Sequence, residues 1–151
     1  LGLAFNWGAL LAFAAHSGTI TLPAVLLYAA GISWTLFYDT IYAHQDKEDD
    51  AMIGVRSTAR LFGAQSRKWL QGFLIASVAL MAAAIIATPL PASRVLALII
   101  ALFGVWAFGW HMIWQLRRLD VDDPTSCLAV FRSNRDAGLI PALFLAIAAF
   151  L

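Results

Sequence analysis

The stretch LGLAFNWGALLAFAAHSGTITLPAVLLYAAGISWTLFY, residues 1–38, contains no Asp, Glu, Lys or Arg. Three more uncharged stretches follow, at 69–93, 95–116 and 137–151. One bilayer crossing takes roughly 20 apolar residues. Residues 1–38 are too long for one crossing, and Gly18 and Pro23 punctuate them within SGTITLP, residues 17–23. Charged residues are 13% of the chain and mean hydropathy is +0.79, whereas soluble domains carry roughly 25% charged residues. So few charges cannot cover a water-facing surface. The apolar runs lack the period-two alternation of barrel strands. The expected fold is all-α, a polytopic transmembrane helix bundle in a single domain, 1–151. Its five spans fall near 1–16, 22–43, 68–89, 94–116 and 135–151.

The connections differ in character. Residues 17–21 and 90–93 are short and uncharged, whereas 44–67 and 117–134 are long and polar. Nine of the ten basic residues lie in or beside the long loops, and only Arg94 lies elsewhere. The positive-inside rule places both long loops on the cytoplasmic face, or on the matrix face of a mitochondrion. No free basic patch suggests a nucleic-acid partner, and the net charge is only +1. The single cysteine, Cys127, excludes an intrachain disulfide and reads as a small apolar residue on a loop helix. Leu1 enters apolar sequence without the charged region of a signal peptide. That start reads as a point inside a helix, and the chain as a piece of a longer one.

One segment is chemically loaded, YDTIYAHQDKEDDAMIGVRSTARLFG, residues 38–63. Asp39, Asp46, Glu48, Asp49 and Asp50 crowd its first half. A helix turns about 100° per residue, so positions seven and eleven apart nearly coincide in angle. If the second span continues as helix, Asp39, Asp46 and Asp50 share one stripe, with Asp49 at its edge. Like charges on one helix face repel, and Asp39 near the end of an apolar span is also desolvated. A bound cation relieves both penalties. Hard carboxylate oxygens suit Mg²⁺, which favours one or two carboxylates plus substrate phosphates over a full protein cage. Glu48 and Lys47 point elsewhere and read as solvated. A divalent-cation transporter or other non-catalytic membrane protein is the alternative of another class. A transporter, however, places its acids near mid-membrane, and here all acids but Asp39 lie in loops or at their edges.

This segment resembles the second aspartate-rich motif of the UbiA superfamily of intramembrane aromatic prenyltransferases. The Asp-Thr-x-Tyr-Ala-x-x-Asp-x-x-Asp-Asp form followed by Gly-Val-Arg-Ser (Gly54–Ser57) resembles the 4-hydroxybenzoate polyprenyltransferase branch, as does LGLAFNWG at Leu1–Gly8. The resemblance covers essentially the whole chain, as the C-terminal five of the family's nine helices. It implies transfer of a polyprenyl group from polyprenyl diphosphate to 4-hydroxybenzoate, with release of diphosphate, in ubiquinone biosynthesis. Acceptors such as homogentisate, naphthoate or a haem are the near alternatives. By position it implies Asp46 and Asp50 as the Mg²⁺ pair, with Asp39 and Asp49 as further metal candidates. The implied location is the multi-pass inner (plasma) membrane of a bacterium, with the mitochondrial inner membrane as second choice. The family's first acidic motif, Asn-Asp-x-x-Asp-x-x-x-Asp, is not found, so this chain alone is expected to be inactive.

The remaining residues are weighed against that site. Arg56 either pairs with diphosphate oxygens or anchors the loop at the interface. Tyr42, about 60° from Asp39 around a helix, is expected to face the cavity and stabilise an allylic cation through its ring. Tyr38 is equally at home in the cavity or in an interfacial belt. Trp34 and Phe37 read as packed or interfacial residues, as do His16 and His111; His44 lies about 140° from Asp39. Ser57 reads as the N-cap of a short helix, Thr58–Phe62, closed by Gly63. Pro124–Phe131 (PTSCLAVF) reads as a short amphipathic helix on the membrane surface.

Overall fold

The computed structural model describes residues 1–151. It contains helices and turns but no strand. The order is α1 (Gly2–Phe5), α2 (Trp7–Ser17), α3 (Leu22–Ala43), α4 (Lys47–Ile53), α5 (Thr58–Phe62), α6 (Ser66–Ile86), α7 (Val95–Arg118), α8 (Pro124–Arg132) and α9 (Asn134–Ala149). Leu22–Ala43, Thr58–Ile86 and Ala92–Arg118 are long and apolar enough to cross a membrane. α9 has 16 residues and rises about 24 Å, somewhat less than the roughly 30 Å of a hydrocarbon core.

Glycine and proline set the first hairpin. Gly18 closes α2 in the left-handed region at φ 71°, where a side chain costs energy. Pro23 then sits in the first turn of α3, where its missing N–H has no partner to lose. α3 packs along α6, α6 along α7, and α7 along α9, while α8 crosses the end of α3. Phe37, Ile41, Leu70, Phe108 and Met112 form the centre of the core. Small groups bring the backbones close: the buried Ser77 hydroxyl donates to the Ala30 carbonyl at 3.2 Å. Gly104 of α7 faces α9 so closely that an added Cβ would stand 2.5 Å from the Phe144 Cβ. Such close approach is how helices associate where lipid removes the hydrophobic gain of contact. Ile75, Ile99, Phe103, Trp106 and Leu143 point outward, each about half exposed or more. A water-soluble chain would not leave so much apolar surface bare.

The expected continuation of the second span through the acids does not occur. α3 stops at Ala43, and the backbone N–H groups of His44 and Gln45 reach back only three residues, to Ile41 and Tyr42 at 3.2 and 2.9 Å. Such bonds tighten the last turn. A new helix then starts behind Asp46, with Glu48, Asp49 and Asp50 in its first turn. There their charges face the positive end of the α4 dipole rather than stacking along one apolar helix. The phase of α3 is lost across residues 44–46, so the single stripe of Asp39, Asp46 and Asp50 is not formed.

The two short helices lie where the sequence places them. α5 spans Thr58–Phe62 between Ser57 and Gly63, although the Ser57 hydroxyl makes no capping bond. α8 is capped by the Asp123 carboxylate, which accepts from the Thr125 N–H at 2.9 Å. Cys127 on α8 is fully buried, its thiol donating to the Asp120 carbonyl at 3.3 Å. Burial first, then the charges of Asp123, Asp120 and Asp122, push that thiol up to about 11. Ordinary thiol chemistry near pH 8 should therefore find Cys127 at least about a hundredfold less reactive than an exposed cysteine. Maleimide labelling of the folded protein against the urea-unfolded one measures this. Gly104→Ala should lower the thermal midpoint in detergent by several degrees, through about 1–3 kcal/mol of overpacking. Gly72→Ala, which meets nothing within 4 Å, should leave it nearly unchanged.

Candidate functional site

The acidic turn and α4 cap the end of α3. Asp46 is the N-cap of α4, and the Asp50 N–H closes onto its carbonyl at 2.8 Å. The two residues thus remain one helical turn apart even though the long stripe is broken. Asp39 is half-buried on α3, one turn before its end, and Asp49 is exposed. No three of the chain's Asp, Glu, His and Cys side chains converge to hold a metal ion by themselves. The donor chemistry is all carboxylate along Asp39, Asp46, Asp49 and Asp50, which fits Mg²⁺ bridged to ligand phosphates better than a closed protein cage.

Behind α4 the chain folds back on itself. The Arg60 guanidinium donates to the Asp50 carbonyl at 3.1 Å and to the Val55 carbonyl, fixing the Gly54–Ser57 loop against the acidic helix. Gly54 holds φ 79° at this corner. Arg56 is exposed and shares a shallow cavity with Ser57, Thr58 and Arg60. Two hydroxyls there, Ser57 Oγ and Thr58 Oγ1, are buried without a hydrogen-bond partner. Arg60 is a locking residue that its position on a short helix did not reveal.

His44 is buried with neither ring nitrogen partnered. Burial, with the charge of Lys47, holds its imidazole below the ordinary range, against the opposing pull of Asp122. It lies beside Glu48, Asp49 and Asp122, and so joins the two long loops at this end of the molecule.

One to two turns back along α3, a cavity of about 470 Å³ opens between the end of α1, α3, the end of α8 and the start of α9. Its walls are aromatic: Trp34, Tyr38 and Phe131, with Phe5 at one side. Trp34 packs edge-on against Tyr38 and Phe108, with ring centroids 5.7 and 5.4 Å apart, and Tyr38 sits 6.0 Å from Phe131. Hydrogen bonds hold the wall in place. The Trp34 indole donates to Asn134 Oδ1 at 3.0 Å. Asn6 Nδ2 donates to Thr35 Oγ1 at 2.8 Å, and the Tyr38 hydroxyl donates to the same oxygen at 3.3 Å. Asn6 also bonds the Gly2 carbonyl at 2.8 Å and marks the break between α1 and α2. Arg132 and Arg135 stand at the rim.

Trp34, read from sequence as packing or belt, does pack on the core and also lines this cavity. Phe37 is fully buried core. Tyr42 is 40% exposed and tilts over Phe131 at 4.8 Å; it is not one of the lining residues. Asn6 and Asn134 carry no weight in a local reading. Their presence as lone amides in or at the ends of apolar helices is the signal that could have found them.

Comparison with known proteins bears on the whole of this arrangement. The chain is 45% identical over 148 residues to the mitochondrial 4-hydroxybenzoate polyprenyltransferase of Drosophila melanogaster, covering 97% of this chain and 36% of that protein. Against the proteins of the same name from Bos taurus and Homo sapiens it is 46% and 43% identical over 141 residues, covering 93% of this chain and 36% of each. The chain thus spans about a third of the length of the curated relatives it matches. No solved structure matches it. The model of the UbiA prenyltransferase family matches residues 1–149, and with an acid-rich turn capping an all-helical bundle, this chain belongs to that family.

Proposed function

We propose that this chain is the C-terminal part of an enzyme that transfers a polyprenyl group from polyprenyl diphosphate to 4-hydroxybenzoate in ubiquinone biosynthesis, releasing diphosphate. The observation that carries the reading is the placement of the Asp46–Asp50 turn at the end of α3, beside a cavity walled by α3's own aromatic residues. Family membership and the names of the relatives support it. Asp46 and Asp50 would hold Mg²⁺, with Asp39 and Asp49 as the further carboxylates and Arg56 as a cation for the diphosphate. When bound, the ion supplies charge neutralisation to the departing diphosphate.

The chain's own residues account for the rest. The allylic carbon–oxygen bond breaks on the side where the carboxylates and Arg56 lie. The allylic cation left behind faces aromatic rings rather than water, among them Tyr38 and the neighbouring Tyr42. The helices keep bulk water from it. A carbon of the acceptor ring next to the phenol hydroxyl forms the new bond, and the ring proton at that carbon is lost, giving the 3-polyprenyl product. The acidic motif absent from this chain would complete the metal site from the rest of the protein. We place the enzyme in an inner membrane, crossing it five times within this chain. The expectation of a bacterial membrane rests on the sequence alone, whereas the named relatives are mitochondrial.

In the full-length protein, Asp46→Ala or Asp50→Ala should each lower prenyl transfer at least about a thousandfold, the loss of roughly 4 kcal/mol of transition-state stabilisation. Glu48→Ala should retain most activity, and chelation of Mg²⁺ should abolish it. Transfer of labelled prenyl groups to 4-hydroxybenzoate in isolated membranes reads all three; full activity of the Asp46 and Asp50 variants would end this reading. Cysteines introduced at Ala51 and Ser126 should label from one side of the membrane, and one at Thr19 from the other. Labelling of Ala51 and Ser126 from opposite sides would break the five-span topology.

A further inference from the structure

We propose that the groove between the start of α6 and the end of α7 holds an anionic phospholipid, its headgroup phosphate on Arg67 and Arg117 and one acyl chain along the apolar wall below them. The site lies apart from the acidic turn and the aromatic cavity, and it does not depend on which reaction the whole protein performs. Three observations carry it. First, the groove is polar at one end and apolar along the rest, as a lipid is. It encloses about 370 Å³, with Arg67 and Arg117 at its mouth and Leu74, Ile75 and Ile113 along its length. Ile75 lies eight residues beyond Arg67, about 12 Å along the helix. The mouth is held in place: the Arg67 guanidinium donates to the Leu116 carbonyl at 3.0 Å, tying α6 to α7. That bond uses one N–H of Arg67 and leaves the others without a partner.

Second, the charge at this mouth is unbalanced. α6 opens on Arg67 and Lys68 with no acid in its first turn, at the helix end whose dipole disfavours cations. α7 closes beside it on Arg117 and Arg118. No acid lines the groove, and the chain's one ion pair joins Arg135 to Asp136. Asp120, the acid closest to Arg117 in sequence, accepts from the Asp122 N–H at 3.1 Å instead. Phosphate oxygens match the paired N–H groups of a guanidinium. A basic pocket between membrane-crossing helices is where an anionic lipid headgroup binds.

Third, the height is right. Thr58–Ile86 and Ala92–Arg118 are both long and apolar enough to cross a bilayer. The two arginines stand at the same end as Trp69 and Trp114, both exposed, and exposed tryptophans mark the headgroup level. The headgroup layer adds roughly 5–7 Å per leaflet to the hydrocarbon. Ile113 comes four residues before Arg117, about 6 Å deeper, so the apolar wall starts where an acyl chain starts. A free phosphate would leave that wall uncovered.

The test uses the full-length protein in detergent micelles, titrated with dioleoylphosphatidylglycerol, dioleoylphosphatidylcholine, glycerol phosphate or inorganic phosphate. Thermal midpoints give apparent affinities, and native mass spectrometry counts the bound lipid. Phosphatidylglycerol should raise the wild-type midpoint by several degrees, and the other three should not. Arg67→Gln and Arg117→Gln should each weaken its apparent affinity about fivefold or more. Arg67→Gln also loses the bond to Leu116, so Ile113→Trp serves as an independent variant. It fills the groove from an exposed position, leaves both arginines in place, and should lose the lipid as well. Arg94→Gln, at the opposite end of α7, should respond like wild type. Unchanged phosphatidylglycerol affinity in both Arg117→Gln and Ile113→Trp overturns the proposal, as does an equal response to phosphatidylcholine. A response reproduced by glycerol phosphate or inorganic phosphate overturns it too, because the groove would then bind an anion without a chain. So does a wild type that binds no lipid, since the rest of the protein would then cover this face.

Discussion

A carboxylate inside hydrocarbon costs roughly 2.5–3.5 kcal/mol even by the most lenient insertion measure, and the architecture here is arranged around that cost. Of the nine acidic residues only Asp39 and Asp136 stand on helices read as spans, Asp39 one turn before the end of α3 and Asp136 in the first turn of α9. The remaining acids of the motif are carried beyond α3 by a break in the chain. Had α3 run on, three carboxylates would share one stripe with no counter-charge. By ending at Ala43 and restarting behind Asp46, the chain turns the first residues of α4 into a dipole-stabilised acidic turn. The break relieves that repulsion and leaves Asp46 and Asp50 one helical turn apart.

The rest of the bundle positions that end of α3. Phe37 and Ile41 anchor it in the core, and Ala30 accepts a bond from α6 at 3.2 Å. On the far side, the buried Gln115 of α7 donates to Ser133 Oγ at 2.7 Å, and His111 approaches the Ser133 carbonyl at 3.2 Å. Both meet the junction of α8 and α9, between Arg132 and Asn134. Buried polar contacts of this kind are costly if broken, so the junction that carries the cavity rim is fixed to α7 as the cavity wall is fixed to α3. The Trp34–Asn134 bond joins the two halves of the cavity, with the Tyr38–Phe131 ring contact beside it.

Helix class and the two surface helices were legible because they depend on local signals: charge-free runs, Gly and Pro at the ends, and Ser57 or Asp123 before a helical turn. That Asp46 and Asp50 lie one helical turn apart was legible too, since they are four residues apart in the sequence. The break at residues 44–46 was not, because an angular argument assumes that a helix keeps its phase, and nothing in YAHQD announces three-residue closure. Nor was the cavity. Its bonds join residues 29 and 100 positions apart, Asn6 to Thr35 and Trp34 to Asn134, and no window of sequence contains both partners. Trp34 shows the difficulty in one residue: its spacing fits core packing, and packing is half of what it does.

The separation of charge along α3 then has a physical meaning for the proposed chemistry. Breaking an allylic carbon–oxygen bond creates an anion and a cation that attract each other and recombine unless each is held apart from the other. Their stabilisers must therefore be neighbours yet differ in kind. At the end of α3 the chain offers carboxylates for a metal-bound anion, in a polar loop open to water. A turn earlier it offers ring faces, which favour a cation through their quadrupoles without supplying a nucleophile. Only Asp39 shares α3 with those rings, at a spacing set by a rise of about 1.5 Å per residue; Asp46 and Asp50 follow across the break at residues 44–46.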